Sequence, residues 1–165
     1  MSLEIRPERE GDEPSIYSVT EAAFREMEFA DGDEQDLVNR LRDDGDLSIS
    51  LVAEVDGGIV GHIAFSPVTI SDSTSDWYGL GPVSVIPARQ GEGIGSKLVN
   101  QGLDRLRRLG ARGCVLLGDP AYYARFGFKH DPCLEYPGPP AKYFQCLVLD
   151  GDMPTGQVAY APAFV

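Results

Sequence analysis

The segment Gln90-Gly91-Glu92-Gly93-Ile94-Gly95-Ser96 sets three glycines at alternate positions, where an apolar strand-like run ends and a long amphipathic run begins. Backbone N–H groups flanked by glycines stand clear of side chains. A helix starting there adds the positive end of its dipole, so the segment carries the chemistry to bind phosphate oxygens. His62 is a second candidate. It stands in a neighbouring β-rich run, and imidazole is the side chain whose ordinary pKa suits a base near neutral pH.

The elements that must position these groups read as one continuous α/β pattern. "LEIRP" alternates like a strand. "EPSIYSVTEAAFREMEF" and "DEQDLVNRLRDDG" place Ile16, Val19, Ala23 and Phe24, then Leu37, Val38 and Leu41, at helical spacing. Residues about 49 to 70 form two β-rich runs reversing at Asp56-Gly57-Gly58, the turn chemistry of a hairpin. "DWYGLGPVSVIP", "GEGIGSKLVNQGLDRLRRLGA" and "RGCVLLGD" then spell strand, helix and strand, a βαβ unit whose strands run parallel near the middle of a mixed sheet. A short helix follows Pro120 and ends at Gly127, and two last strands close the chain around Asp150-Gly151-Asp152.

Composition narrows the function. The chain has 165 residues, the size of one domain, taken as 1–165. Its start is not a signal peptide and no apolar run is long enough to span a bilayer, so a cytoplasmic protein without a membrane partner is expected. A net charge of −12 opposes nucleic acid as a partner. Cys114, Cys133 and Cys146 share no C-x-x-C spacing, and His62 and His130 fit no H-E-x-x-H pattern, so no disulfide framework and no metal site is expected.

Two nucleotide motifs compete for the glycine segment. A P-loop needs Gly-Lys-Ser/Thr, and here the order is Gly95-Ser96-Lys97, with the lysine displaced from a terminal phosphate. A dinucleotide fingerprint fits better, with Asp119 where a ribose-binding acid would lie. The unit nevertheless begins after an antiparallel hairpin, and only 46 residues follow Asp119, too few to complete a parallel dinucleotide fold.

Gln90 to Gly95 fits the Q/R-x-x-G-x-G/A signature of the GCN5-related N-acetyltransferases (GNAT), and "YYARFGF" resembles that superfamily's aromatic-Tyr-x-x-x-Gly-Phe segment. The order of elements matches over nearly the whole chain. Within the superfamily, "GHIAFSPV" and "GDPAYYARFGF" look most like predicted acetyltransferases of the YhbS type. The resemblance implies the acyl-CoA N-acyltransferase fold, with a mixed central sheet of about six to seven strands flanked by helices. It implies acetyl-CoA as cosubstrate, no metal, and transfer of an acetyl group to a primary amine by direct attack in a ternary complex.

By the same resemblance Gln90, Gly91, Glu92, Gly93, Ile94, Gly95 and Ser96 cradle the pyrophosphate, and Val83, Ser84 and Val85 pair with the pantetheine arm. Tyr123 falls at the position of the acid that protonates the departing thiolate, a role suited to a phenol protonated at neutral pH. Tyr122 and Asp119 join the cofactor-binding set, Asp119 standing where many relatives have asparagine and also able to cap the short helix. Many relatives carry a glutamate base on the signature strand, whereas "WYGLGPVSVIP" has no acid. His62, or water relayed by Glu28 or Glu34, is left as the base. Glu26 to Asp46 is rich in acids, which suits a cationic small-molecule or peptide amine acceptor. A homodimer is compatible with the resemblance. The competing reading is a non-catalytic acyl-CoA sensor or interaction module.

Overall fold

The computed structural model describes residues 2–25, 27 and 30–164. Six strands make the main sheet: β1 (Leu3–Pro7), β2 (Ile49–Val55), β3 (Gly58–Pro67), β5 (Trp77–Val85), β6 (Gly113–Leu117) and β8 (Phe144–Val148), in the order β1-β2-β3-β5-β6-β8. Every adjacent pair is antiparallel except β5 and β6. The β2–β3 hairpin turns at Asp56 and Gly57, both with positive φ (50° and 84°), the two-residue geometry that matches strand twist. Four helices, α1 (Glu13–Phe24), α2 (Glu34–Asp43), α3 (Ile94–Leu109) and α4 (Pro120–Tyr123), flank the sheet.

One face of the sheet is covered by α3. Its buried stripe of Ile94, Leu98, Val99, Leu103 and Leu106 packs on Leu51, Ile63 and Phe65, each such side chain worth about 1.5–3 kcal/mol when fully buried. At Gly102 the helix approaches so closely that an added Cβ would lie 2.3 Å from Cε1 of the buried Phe65. Gly102→Ala, although it favours helix, should therefore destabilise the fold by about 1–3 kcal/mol, read as a fall in Tm of roughly 3–10 °C. A Tm at or above wild type would show that α3 can shift to admit the methyl group.

On the opposite face α1 and α2 pack Ile16 and Val38 on Val52. Beside them lies a small second sheet of β4 (Thr69–Ile70), β9 (Gly156–Ala159) and β7 (Leu134–Glu135), whose Ile70, Val158 and Leu134 cover Trp77 and Val115. The sequence reading has two final strands but no second sheet. The edge of β8 explains the difference: Lys129 and Cys146 exchange both backbone hydrogen bonds (3.1 and 2.8 Å), so that edge is occupied and β9 pairs elsewhere. The three cysteines are unpaired thiols. No helix among the described residues is long and apolar enough to cross a membrane.

Candidate active site

The site begins where two parallel strands part. β5 and β6 pair only over Trp77–Gly79 and Gly113–Val115. On its other edge β5 stays bonded to β3 as far as Val85, but Gly81 and Pro82 together oppose the single residue Ala64, between the pairs Leu80↔Phe65 and Val83↔Ile63. This bulge bends β5 and changes the parity of its side chains. Leu80 faces α3 before it, and Val83 and Val85 do so after it. Leu80 to Val85 thus present a free strand edge to an open cleft of about 1490 Å³. Pro82 suits such an edge, since it has no N–H to contribute to a ladder.

At the end of β5 a single 3₁₀ turn, Pro87–Arg89, leads into the glycine segment. The Gln90 side-chain amide donates to the Val85 carbonyl at 3.0 Å and ties the loop to the strand. Gly91 and Gly93 both take φ of 83°, a conformation that costs residues with a Cβ, and Gly93 immediately precedes α3. No side chain caps α3. Among the described residues its first-turn N–H groups thus have no side-chain acceptor, and Ile94, Gly95 and Ser96 of that turn line the cleft, the arrangement that favours an anion.

The facing wall comes from the end of β6 and from α4. Asp119 caps α4, its Oδ1 accepting from the Ala121 N–H at 2.9 Å. The Tyr122 hydroxyl and Ser96 Oγ are hydrogen-bonded at 3.0 Å, joining this wall to the start of α3. The Tyr123 ring lies over Gly118 and meets Tyr122 edge-on, with ring centroids 4.9 Å apart. Burial, then the neighbouring Tyr122 and Asp119, push the Tyr123 phenol up to about 12. It is a hydrogen-bond donor at any physiological pH.

Most of the residues singled out from sequence meet in this one cleft. Val83, Val85, Gln90, Gly91, Gly93, Ile94, Gly95, Ser96, Asp119, Tyr122 and Tyr123 all line it. Glu92 does not; its carboxylate pairs with Arg89 at 3.4 Å. The Ser84 side chain is buried outside the lining, next to His62 in the register of β3 and β5.

His62 is the main correction. It is fully buried on the face of Val52, outside the cleft lining, with Nε2 hydrogen-bonded to Ser50 Oγ at 2.8 Å. Ser50 in turn donates to Glu8, which also holds Arg42. Burial, with a smaller push from Arg42, lowers the imidazole to about 4. Burial opposes ionisation of Glu8, but hydrogen bonds from Arg42 and Ser50 outweigh it and hold its carboxyl below the ordinary range. A neutral, sealed imidazole reads as a structural link between strands rather than as a base for a substrate.

Below pH 6.5 the unfolded chain takes up a proton on this imidazole that the folded chain refuses until about pH 4. Stability is thus lost as pH falls through that window, by up to about 3 kcal/mol. Urea unfolding at several pH values should show a shallower loss between pH 6.5 and 4 in His62→Gln than in wild type. Parallel curves would place His62 in contact with solvent.

Glu28, and Glu26 of the acidic segment, lie outside the described residues. Glu34 accepts the N–H groups of Asp31 and Gly32, and none of the described acids between Asp31 and Asp46 lines the cleft. Among the described residues the charged groups that do line it are Arg25, Arg89, Arg125 and Asp119. Two of these arginines are paired with carboxylates, Arg25 with Glu21 and Arg89 with Glu92. Sequence reading passed over Arg125, whose only signal is its place three residues after Tyr122. It also passed over the free edge at Leu80 to Pro82, signalled by Gly81-Pro82 inside an otherwise regular strand.

A mixed sheet parted between two parallel strands, with an uncapped glycine-loop helix at the opening, defines an acyltransferase-type α/β domain. The model of the acetyltransferase (GNAT) family matches residues 14–128, and the chain belongs to that family. It is 40% identical to the N-acetyltransferase YhbS of Escherichia coli K12 over 139 residues, covering 81% of this chain and 80% of that one. A GNAT family acetyltransferase from Brucella melitensis, crystallised with acetyl-CoA, superposes with TM-score 0.89 at 54% identity, covering 99% of both chains. The Escherichia coli YhbS structure with CoA gives 0.88 at 36% identity, covering 98% of this chain and 91% of that one.

Proposed function

We propose that this chain, as a single domain, transfers the acetyl group of acetyl-CoA to a primary amine, of a small molecule or of a lysine or N-terminus, by direct attack in a ternary complex. The observation that carries the reading is the free edge of β5 from Leu80 to Val85, which opens beside Tyr123 and runs into the uncapped start of α3. An edge of unpaired amide groups suits the two amides of a pantetheine arm, and the glycine loop suits a pyrophosphate. The relatives crystallised with acetyl-CoA and CoA support the same assignment.

In this reading Val83, Ser84 and Val85 contribute backbone to the pantetheine, and Gln90 to Ser96 hold the pyrophosphate. An N–H of the free β5 edge stabilises the oxyanion as the neutral amine attacks the thioester carbon. The C–S bond then breaks and the sulfur leaves as thiolate, while the new amide nitrogen gives up its proton to water. With its phenol pushed up to about 12 by burial, Tyr123 keeps its proton at neutral pH and can donate to the leaving sulfur. Its part is a hydrogen bond to the developing thiolate, which takes its proton from solvent.

A second reading, an acyl-CoA sensor without turnover, draws on one observation: among the described lining residues the only carboxylate, Asp119, is engaged as a helix cap, and no histidine is present. The ligand class is tested by following Tm during titration with acetyl-CoA, CoA and NAD. Acetyl-CoA and CoA should raise Tm and NAD should not, with a rise growing as the logarithm of ligand concentration above Kd. Stabilisation by NAD alone would overturn both acyl-CoA readings.

A further inference from the structure

We propose that Arg125, held by Tyr122, is a second phosphate-binding point of the cleft. It selects a cosubstrate with a phosphate besides the pyrophosphate, as CoA carries on its ribose and 3′-dephospho-CoA does not. The inference rests on the acyl-CoA reading of the cleft.

Arg125 lies on the cleft wall with its guanidinium carbon 4.4 Å from the Tyr122 ring centroid, and its Nε donates to the Tyr122 carbonyl at 2.9 Å. Tyr122 is itself anchored, its hydroxyl bonded to Ser96 in the first turn of α3. One tyrosine side chain thus separates the guanidinium from the glycine loop, and stacking plus one hydrogen bond restrict its orientation. The two terminal nitrogens, with four N–H groups, are left for a ligand.

The charge pattern points the same way. Arg6, Arg25, Arg40, Arg42, Arg89 and Arg107 each hold a carboxylate. Among the described residues no salt bridge forms to Arg9, Arg105, Arg108, Arg112 or Arg125, and of these five only Arg125 lines the cleft. Asp119, the carboxylate among the described lining residues, forms no salt bridge with Arg125 and accepts the Ala121 N–H with its Oδ1. A guanidinium edge presented in this way matches two oxygens of a phosphate monoester. Because Arg125 is exposed, water and salt weaken the pairing, and an effect of about tenfold in affinity is expected rather than the larger effect of a buried pair.

Isothermal titration with CoA and with 3′-dephospho-CoA, in wild type, Arg125→Gln and Arg125→Lys, tests the proposal. Wild type should bind CoA about tenfold more tightly than 3′-dephospho-CoA. Arg125→Gln should bind both with the affinity of wild type for 3′-dephospho-CoA, and Arg125→Lys should keep part of the preference. Equal binding of the two ligands by wild type would overturn the inference while leaving the acyl-CoA reading intact. So would a preference that survives in Arg125→Gln, or an equal loss of both ligands in that variant, which would make Arg125 a mere support for Tyr122. Failure of wild type to bind either ligand would overturn the acyl-CoA reading itself, and the inference with it.

Discussion

Tyr123→Phe should lower kcat for acetyl transfer by about 10²- to 10³-fold while leaving the Kd for acetyl-CoA within about twofold of wild type. The substitution keeps the ring that packs against Tyr122, Phe126 and Phe128, so the cleft wall is preserved. It removes one donor whose bond strengthens only as charge develops on sulfur, which is why the loss falls on the chemical step and not on binding. Burial raises the phenol to about 12, and a hydrogen bond made in such a partly desolvated place is worth more than one in bulk solvent. Steady-state kinetics together with direct binding separate the outcomes. An unchanged kcat would mean that water alone meets the leaving sulfur, and that Tyr123 is a packing residue.

Gly93→Glu should weaken acetyl-CoA binding by at least about 100-fold, close to 3 kcal/mol. Two effects add there. A side chain at φ of 83° strains the residue just before α3, and a carboxylate is set where α3 turns its uncapped N–H groups toward the cleft. Gly93→Ala separates them, because it carries the strain, about 1–2 kcal/mol, without the charge. The alanine variant should lose stability yet bind acetyl-CoA more tightly than the glutamate variant. If the glutamate variant binds as wild type does, the glycine loop is only a turn.

The sequence made the glycine loop legible because its geometry is local: glycines at alternate positions ahead of an amphipathic run already signal a turn with positive φ that begins a helix. The βαβ unit, the hairpin at Asp56-Gly57 and the capping by Asp119 were legible for the same reason. What escaped depends on pairing between distant segments. The bulge at Gly81-Pro82 is defined only by the position of Ala64 on β3, and the second sheet only by Lys129 occupying the edge of β8. His62 shows the limit most clearly. Its type suited a base, but strand parity turns it onto the Val52 face, under α1 and α2, while the cleft opens elsewhere. On β3 that parity shifts ahead of His62, where the register with β2 slips between Ala53 and Glu54, and such a slip cannot be counted from sequence alone.

The measurement closest to the central claim is incubation of the wild-type protein with acetyl-CoA and a panel of primary amines, with mass-spectrometric detection of the acetylated amine against the CoA released. At least one amine should be acetylated, with one CoA released per amide formed, and that product should be lost in Tyr123→Phe. Tight acetyl-CoA binding with CoA released only by slow hydrolysis, across small-molecule, lysine and N-terminal amines alike, would contradict the transferase and favour a sensor.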